Sequence, residues 1–141
     1  MRPAHILLVE DNEGDIILTL DAFEESKIKT DISVAKNGQE ALDFLYKRGE
    51  FENAEKPDLI LLDINMPIFN GHEVLKQIKQ DPNLKKIPVI MLTTSSSQKD
   101  IDTAYENHSN SYVKKPIDMD EFLKAILKIE EFWLQLSTLA D

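Results

Sequence analysis

A small set of side chains in this sequence could act together on a charged substrate. Glu10 and Asp11 follow the apolar run Ile6–Val9, Asp63 follows Leu59–Leu62, Thr93 follows Val89–Leu92, and Lys114 and Lys115 follow Ser111–Val113. Each stands directly behind a short segment that reads as a buried strand. If those strands lie parallel, their ends collect along one edge of a sheet, where ligands bind in such folds. Three carboxylates, a hydroxyl and an ammonium then share a cleft. Crowded carboxylates repel, and a hard cation with oxygen ligands relieves them; Mg²⁺ is the natural choice. A lysine on the far side gives Asp63 positive charge from two directions, which suits an incoming phosphoryl group. An aspartate can itself be the nucleophile and form an acyl phosphate.

The elements that must position these groups are legible from the pattern. Ile6–Val9 predicts a first strand, and Ile16, Ile17, Leu20 and Phe23 recur at helical spacing behind it. Ile32–Ala35 predicts a second strand. Asn37 and Glu40 form a capping pair for a helix burying Ala41, Leu42 and Leu45. A polar connection runs from Lys47 to Lys56. The segment Leu59–Asp63 is apolar throughout until its terminal acid, as expected of a strand covered on both faces. Gly71 precedes a helix with Val74, Leu75 and Ile78 on one side, stopped at Asp81-Pro82. Pro88 opens a fourth strand, Val89–Leu92, and the serines after Thr94 cap a thinly apolar helix around Ile101, Ala104 and Tyr105. Ser111–Val113 is the fifth strand, and Asp118 with Glu121 opens a long last helix bearing Phe122, Leu123, Ile126 and Leu127. Strands alternating with helices predict an α/β sandwich on a parallel sheet.

Composition excludes several functions. A length of 141 residues fits one domain with a real core. A net charge of -10 argues against non-specific nucleic-acid binding, which needs cationic side chains to displace counterions. With no cysteine there is no disulfide, thiolate metal site or thiol catalysis. The apolar run near the N-terminus is too short for a signal peptide, and no later run could span a bilayer, so a cytoplasmic protein without membrane contact is expected. His5, His72 and His108 are isolated and read as core or surface residues.

The ordered set Glu10-Asp11, Asp63, Thr93 and Lys115-Pro116 resembles the receiver domain of two-component response regulators, over residues 6–127. The resemblance implies a flavodoxin-like (βα)5 fold with strand order 2-1-3-4-5, one domain over residues 1–141, its core about residues 4–127 and residues 128–141 an extension of the last helix. It implies that Asp63 takes phosphate from a sensor histidine kinase or a phosphotransfer protein. Glu10, Asp11, Asp63 and the main-chain carbonyl of Asn65 then hold Mg²⁺. The resemblance picks Lys115 over Lys114 as the phosphate partner. It makes Thr93 and Tyr112 the switch pair, and gives Asn65 and Ser95 control of phosphate loss. Neither Asn65 nor Ser95 supplies an acid or base, so the expected control is water access. Glu10 stands where aspartate is commoner in the family, and Thr94 where a smaller residue is usual.

The segment Ile129–Leu136 adds large apolar residues beyond the family's usual last helix. Either its extra turns fold back on the domain, or Phe132, Trp133 and Leu136 form a contact surface, since aromatic residues supply much interface energy. With the long Lys47–Lys56 loop, this tail is similar to single-domain regulators that partner bacterial phytochromes, which implies a homodimer through the output face. No output domain is expected after the last helix, so signalling should run through protein contacts with an unknown downstream target, or by relay of the phosphate onward. Two rival readings use the same residues. An aspartate-nucleophile phosphatase needs a second acid where this chain has Asn65, and a phosphate-independent adaptor has no need for the acids and lysine that are all present.

Overall fold

The computed structural model describes residues 3–25, 29–94, 97–115 and 119–136. Five parallel strands lie in the order β2-β1-β3-β4-β5: β1 Ala4–Val9, β2 Thr30–Ala35, β3 Leu59–Leu62, β4 Val89–Thr93 and β5 Ser111–Lys114. Helices α1 Glu13–Glu25, α2 Gly38–Leu45, α3 Gly71–Gln80, α4 Gln98–Glu106 and α5 Met119–Glu130 connect or follow them. Glu131–Leu136 continues α5 as π-helical turns. This is the parallel α/β sandwich that the alternating pattern predicts, in the flavodoxin-like strand order that the resemblance implies.

Strand periodicity divides the core in two. From β1, Leu7 and Val9 join Ala41, Phe44, Val74, Leu75 and Ile78 beneath α2 and α3, while Ile6 and Leu8 join Ile16, Phe23, Phe122 and Ile126 beneath α1 and α5. Because both sheet faces are covered, all of Leu59–Leu62 is buried, which is why that segment contains no polar residue. The α4 helix buries only Ala104, and Tyr105 stays half exposed. That thin contact matches its weak apolar stripe. A His72 Nε2–Asp100 Oδ1 contact of 3.1 Å ties α4 to α3.

Helix caps follow local chemistry. The Asn37 side chain accepts from the Glu40 N–H, and Asn70 forms a full capping box with Glu73. Ser97 caps α4 from the serine run. Asp118, the expected cap of α5, lies outside the described residues, as do Ser95, Pro116 and the Leu136 side chain.

Some side chains expected on buried faces are not buried. Ile17 is 55% and Leu127 37% exposed, and in α2 Phe44 is buried with Ala41 and Leu45 while Leu42 is only partly covered. His5 is a satisfied core histidine: its Nε2 lies 2.9 Å from the Ser33 hydroxyl, and its ring packs against Phe44. The connection after α2 contains a 3₁₀ turn at Gly49–Phe51, which sets Phe51 edge-on to Phe44.

Candidate functional site

The carboxyl ends of β1, β3, β4 and β5 bring the expected residues together. Register places Val9 beside Leu62, and Thr93 beside Lys114. The residues just past these strand ends therefore become neighbours. Backbone bonds hold them: Glu10 N–H donates to the Ala35 carbonyl at 3.0 Å, Asp63 N–H to Val9 at 3.1 Å, and Lys115 N–H to Thr93 at 2.6 Å. Asp63 is 8% exposed, and its Oδ1 accepts from the Ile64 N–H at 2.8 Å. Thr93 is fully buried at the end of its strand.

Two glycines let the β3–α3 loop close under the site. A Cβ on Gly71 would lie 2.1 Å from the Asp63 carbonyl oxygen, and one on Gly38 would lie 2.3 Å from the Phe69 carbonyl oxygen. Both are backbone contacts, so only glycine permits the approach. Ile68 in the same loop holds a left-handed backbone (φ 71) with its side chain exposed.

Glu10, Asp11 and Asp63 each offer a carboxylate oxygen, and these oxygens lie within 4.8 Å of one another. Ligands of a small hard cation at about 2.1 Å stand up to roughly 4 Å apart, so modest side-chain movement closes this set around one ion. Glu10 and Asp63 are buried and Asp11 is exposed, which leaves one side open to water. An all-oxygen set of this kind fits a divalent cation.

The ammonium of Lys115 lies inside this cluster, while Lys114 faces solvent. That settles which lysine the site contains. Lys115 Nζ contacts Glu10 Oε2, donates to Asp15 Oδ2 at 2.9 Å and stands 4.0 Å from Asp63 Oδ2. Burial pushes the Glu10 carboxyl up to about 7; the Asp63 charge adds to the push, while the Lys115 bond and a bond from the Asn12 N–H oppose it. Burial also disfavours the charged form of Lys115, but hydrogen bonds to Glu10 and Asp15 and the charge of Asp63 outweigh it and hold the ammonium above its ordinary value.

Asp15 is the residue that strand-end reasoning misses. Asn12 accepts from the Asp15 N–H at 2.9 Å and so caps α1, which puts Asp15 at the third helical position, beside the end of β1. The Asn12-x-x-Asp15 spacing carried that signal, because it is the spacing of a helix cap and its third residue. Asn65 is exposed two residues beyond Asp63. Tyr112 is half-buried on β5, paired with Met91. Along β5 and α5, Val113, Lys124, Ile129, Phe132 and Trp133 line a groove of about 530 Å³. Trp133 packs partly on the α1–α5 core, and Phe132 stands edge-on to it, 52% exposed.

Comparison with known proteins agrees with this geometry. Residues 6–127 match the response regulator receiver domain. The chain is 43% identical over 137 residues to the response regulator Rcp1 of Synechocystis sp., covering 97% of this chain and 93% of that protein. Its fold superposes on the crystal structure of the phosphorylated cyanobacterial phytochrome response regulator RcpA with a TM-score of 0.96 at 42% identity, covering 99% of this chain and 100% of that one. The Mn²⁺-bound form of Rcp1 gives a TM-score of 0.94 at 42% identity over 99% of this chain and 100% of that one. Among the described residues, no helix is long and apolar enough to cross a membrane. Strand order, acidic cluster and sequence thus agree: the chain belongs to the response regulator receiver family of two-component signalling.

Proposed function

We propose that Asp63 accepts a phosphoryl group from a phosphohistidine on a sensor histidine kinase or a phosphotransfer protein. An Asp63 carboxylate oxygen attacks phosphorus as the N–P bond breaks, and the departing imidazole keeps the electron pair. Glu10, Asp11, Asp63 and the Asn65 carbonyl are the residues to hold Mg²⁺, which supplies charge neutralisation for the transferring phosphoryl oxygens. Lys115 neutralises the opposite side. The observation that carries this reading is one cluster of three carboxylate oxygens with a buried ammonium 4.0 Å from Asp63.

Phosphorylation adds negative charge and strong acceptor oxygens at Asp63. Thr93 and Lys115 end neighbouring strands, so meeting those acceptors draws the β4–α4 and β5–α5 connections inward. Tyr112 on β5 packs partly against the core cluster that contains Ala104 of α4, and α4 is held by little buried surface, so this corner is the one built to move. The exposed Asn65 side chain, with Ser95, then governs how water reaches the acyl phosphate. The groove along β5 and α5 offers Phe132 and Trp133 for protein contact, either a second copy of the chain or a downstream target. A phytochrome-type kinase is the proposed donor, by likeness to RcpA, and the cytoplasm the proposed compartment.

Incubation with acetyl phosphate and Mg²⁺ tests the central step. Wild type should gain the mass of one phosphoryl group and Asp63→Asn should not; equal labelling of both would overturn the assignment. Sedimentation with and without beryllofluoride tests association, and a monomer in both states would remove the homodimer.

A further inference from the structure

Before any phosphoryl group arrives, Lys115 already has two anionic partners besides Asp63. Its ammonium contacts Glu10 and lies 2.9 Å from Asp15, against 4.0 Å from Asp63. Glu10 belongs to the clustered carboxylates that fit a cation, and Asp15 does not. When a divalent ion engages Glu10, Asp15 therefore becomes the anion left to Lys115 alone. The Asp15 backbone is fixed from both sides: its N–H donates to Asn12, and its carbonyl accepts from the Thr19 hydroxyl at 2.7 Å. Only its side chain can yield. To neutralise a phosphoryl group on Asp63, Lys115 must close the remaining distance and let go of this partner.

We propose that Asp15 is a positioning residue that holds Lys115 back in the resting state and competes with the phosphoryl group for its ammonium. This inference rests on the reading of Asp63 as phosphoacceptor. It gives Asp15 two effects of opposite sign. By offering the ammonium a partner outside the carboxylate cluster, Asp15 lets it leave Glu10 when a cation arrives, so it favours metal binding. By holding the same ammonium once metal is bound, it disfavours phosphoryl capture. A charge-assisted bond at a partly exposed carboxylate corresponds to an effect on the order of threefold to tenfold in each equilibrium.

The test uses Asp15→Asn, which removes the charge at nearly constant shape. Mn²⁺ affinity is measured calorimetrically after chelator treatment, and beryllofluoride affinity is measured at saturating Mg²⁺. Asp15→Asn should weaken Mn²⁺ and tighten beryllofluoride. Glu13→Gln is the charge control, because Glu13 occupies the same helical turn but pairs with Lys36 at 2.8 Å. It should change neither affinity. The same Asp15→Asn change made in a Lys115→Met background should have no effect on Mn²⁺ affinity, because the residue acts through the lysine. The Lys115 side-chain NMR signal should move in Asp15→Asn without metal. Unchanged affinities in Asp15→Asn with wild type binding both probes would overturn this inference alone. Equal effects from Glu13→Gln, or persistence in the Lys115→Met background, would reduce Asp15 to a general field and overturn it too. Failure of wild type to bind either probe would remove the phosphoacceptor reading with it.

Discussion

Glu10→Gln should make the metal-free protein more stable at alkaline pH, although it deletes a residue of the site. Glu10 is 2% exposed and sits among Asp63, Asp11 and Lys115. Its carboxyl is moved from an ordinary 4.5 to about 7, chiefly by burial. A displacement of that size corresponds to roughly 3 kcal/mol held against the charged form, and water on the Asp11 side brings the expected gain nearer about 1–3 kcal/mol. Glutamine keeps an acceptor for the Asn12 N–H, and Lys115 keeps Asp15 at 2.9 Å, so the substitution does not strand a buried ammonium. For a chain of this length the gain corresponds to a rise of about 3–10 °C in Tm.

The pH dependence carries the sign. Because the folded value lies above the unfolded one, the native state binds more protons between about 4.5 and 7, and wild-type stability falls as pH rises through that window. The variant has no such loss at this position. The gap between the two proteins should thus be small near pH 4.5, open towards pH 7 and level off above it. Thermal and urea unfolding in chelator measure the gap. Added Mg²⁺ should reverse the order, since only wild type has the full set of carboxylates. A variant less stable than wild type at pH 8 in chelator, or a gap indifferent to pH, would refute the claim that burial of this charge strains the resting site.

Gly71→Ala should cost about 2 kcal/mol or more, because its Cβ meets the Asp63 carbonyl oxygen at 2.1 Å; labelling by acetyl phosphate should slow in parallel with the loss of Tm. Lys79→Met removes the ammonium donor from the carbonyls of Lys85 and Ile87, and leaves Asn110 Oδ1 with only the Val89 N–H at 2.9 Å. A loss of about 1–3 kcal/mol in the free energy of urea unfolding is expected, without effect on Mn²⁺ affinity. Glu130 is buried, and burial raises its carboxyl to about 7, so its favourable contribution is lost as pH rises from 4.5 through 7. Glu130→Gln should flatten that part of the stability profile and be the more stable protein at pH 8, as differential unfolding across pH will show.

The fold was legible because its strands are short apolar runs that stop at a charge or a turn, and because β3 is buried on both faces. The positions of Glu10, Asp11, Asp63 and Thr93 followed from the same boundaries, since a residue just past a parallel strand has little choice of location. Helix faces were less legible. In α1 the apolar residues Ile16, Ile17 and Leu20 span more than one face at helical spacing, and only contact with the sheet and α5 decides that Ile16 is covered and Ile17 is not. In α2 the longer Phe44 reaches under the sheet and meets His5, leaving Leu42 at the margin.

The pairing of Lys115 was beyond reach of the sequence for a different reason. Strand-end logic puts its ammonium opposite Asp63 but does not rank the carboxylates that surround it. Ranking depends on where α1 begins, and that is set by Asn12 accepting the Asp15 N–H. An acid in the first turn of a helix ordinarily reads as a complement to the helix dipole. Here that turn opens beside Asp63, so the acid meets a buried lysine before it meets water. A receiver needs its lysine charged, buried and within reach of Asp63, yet not locked against Asp63 where it would repel a metal ion. Asp15 gives the ammonium another place to rest, and α1 is capped so as to put it there.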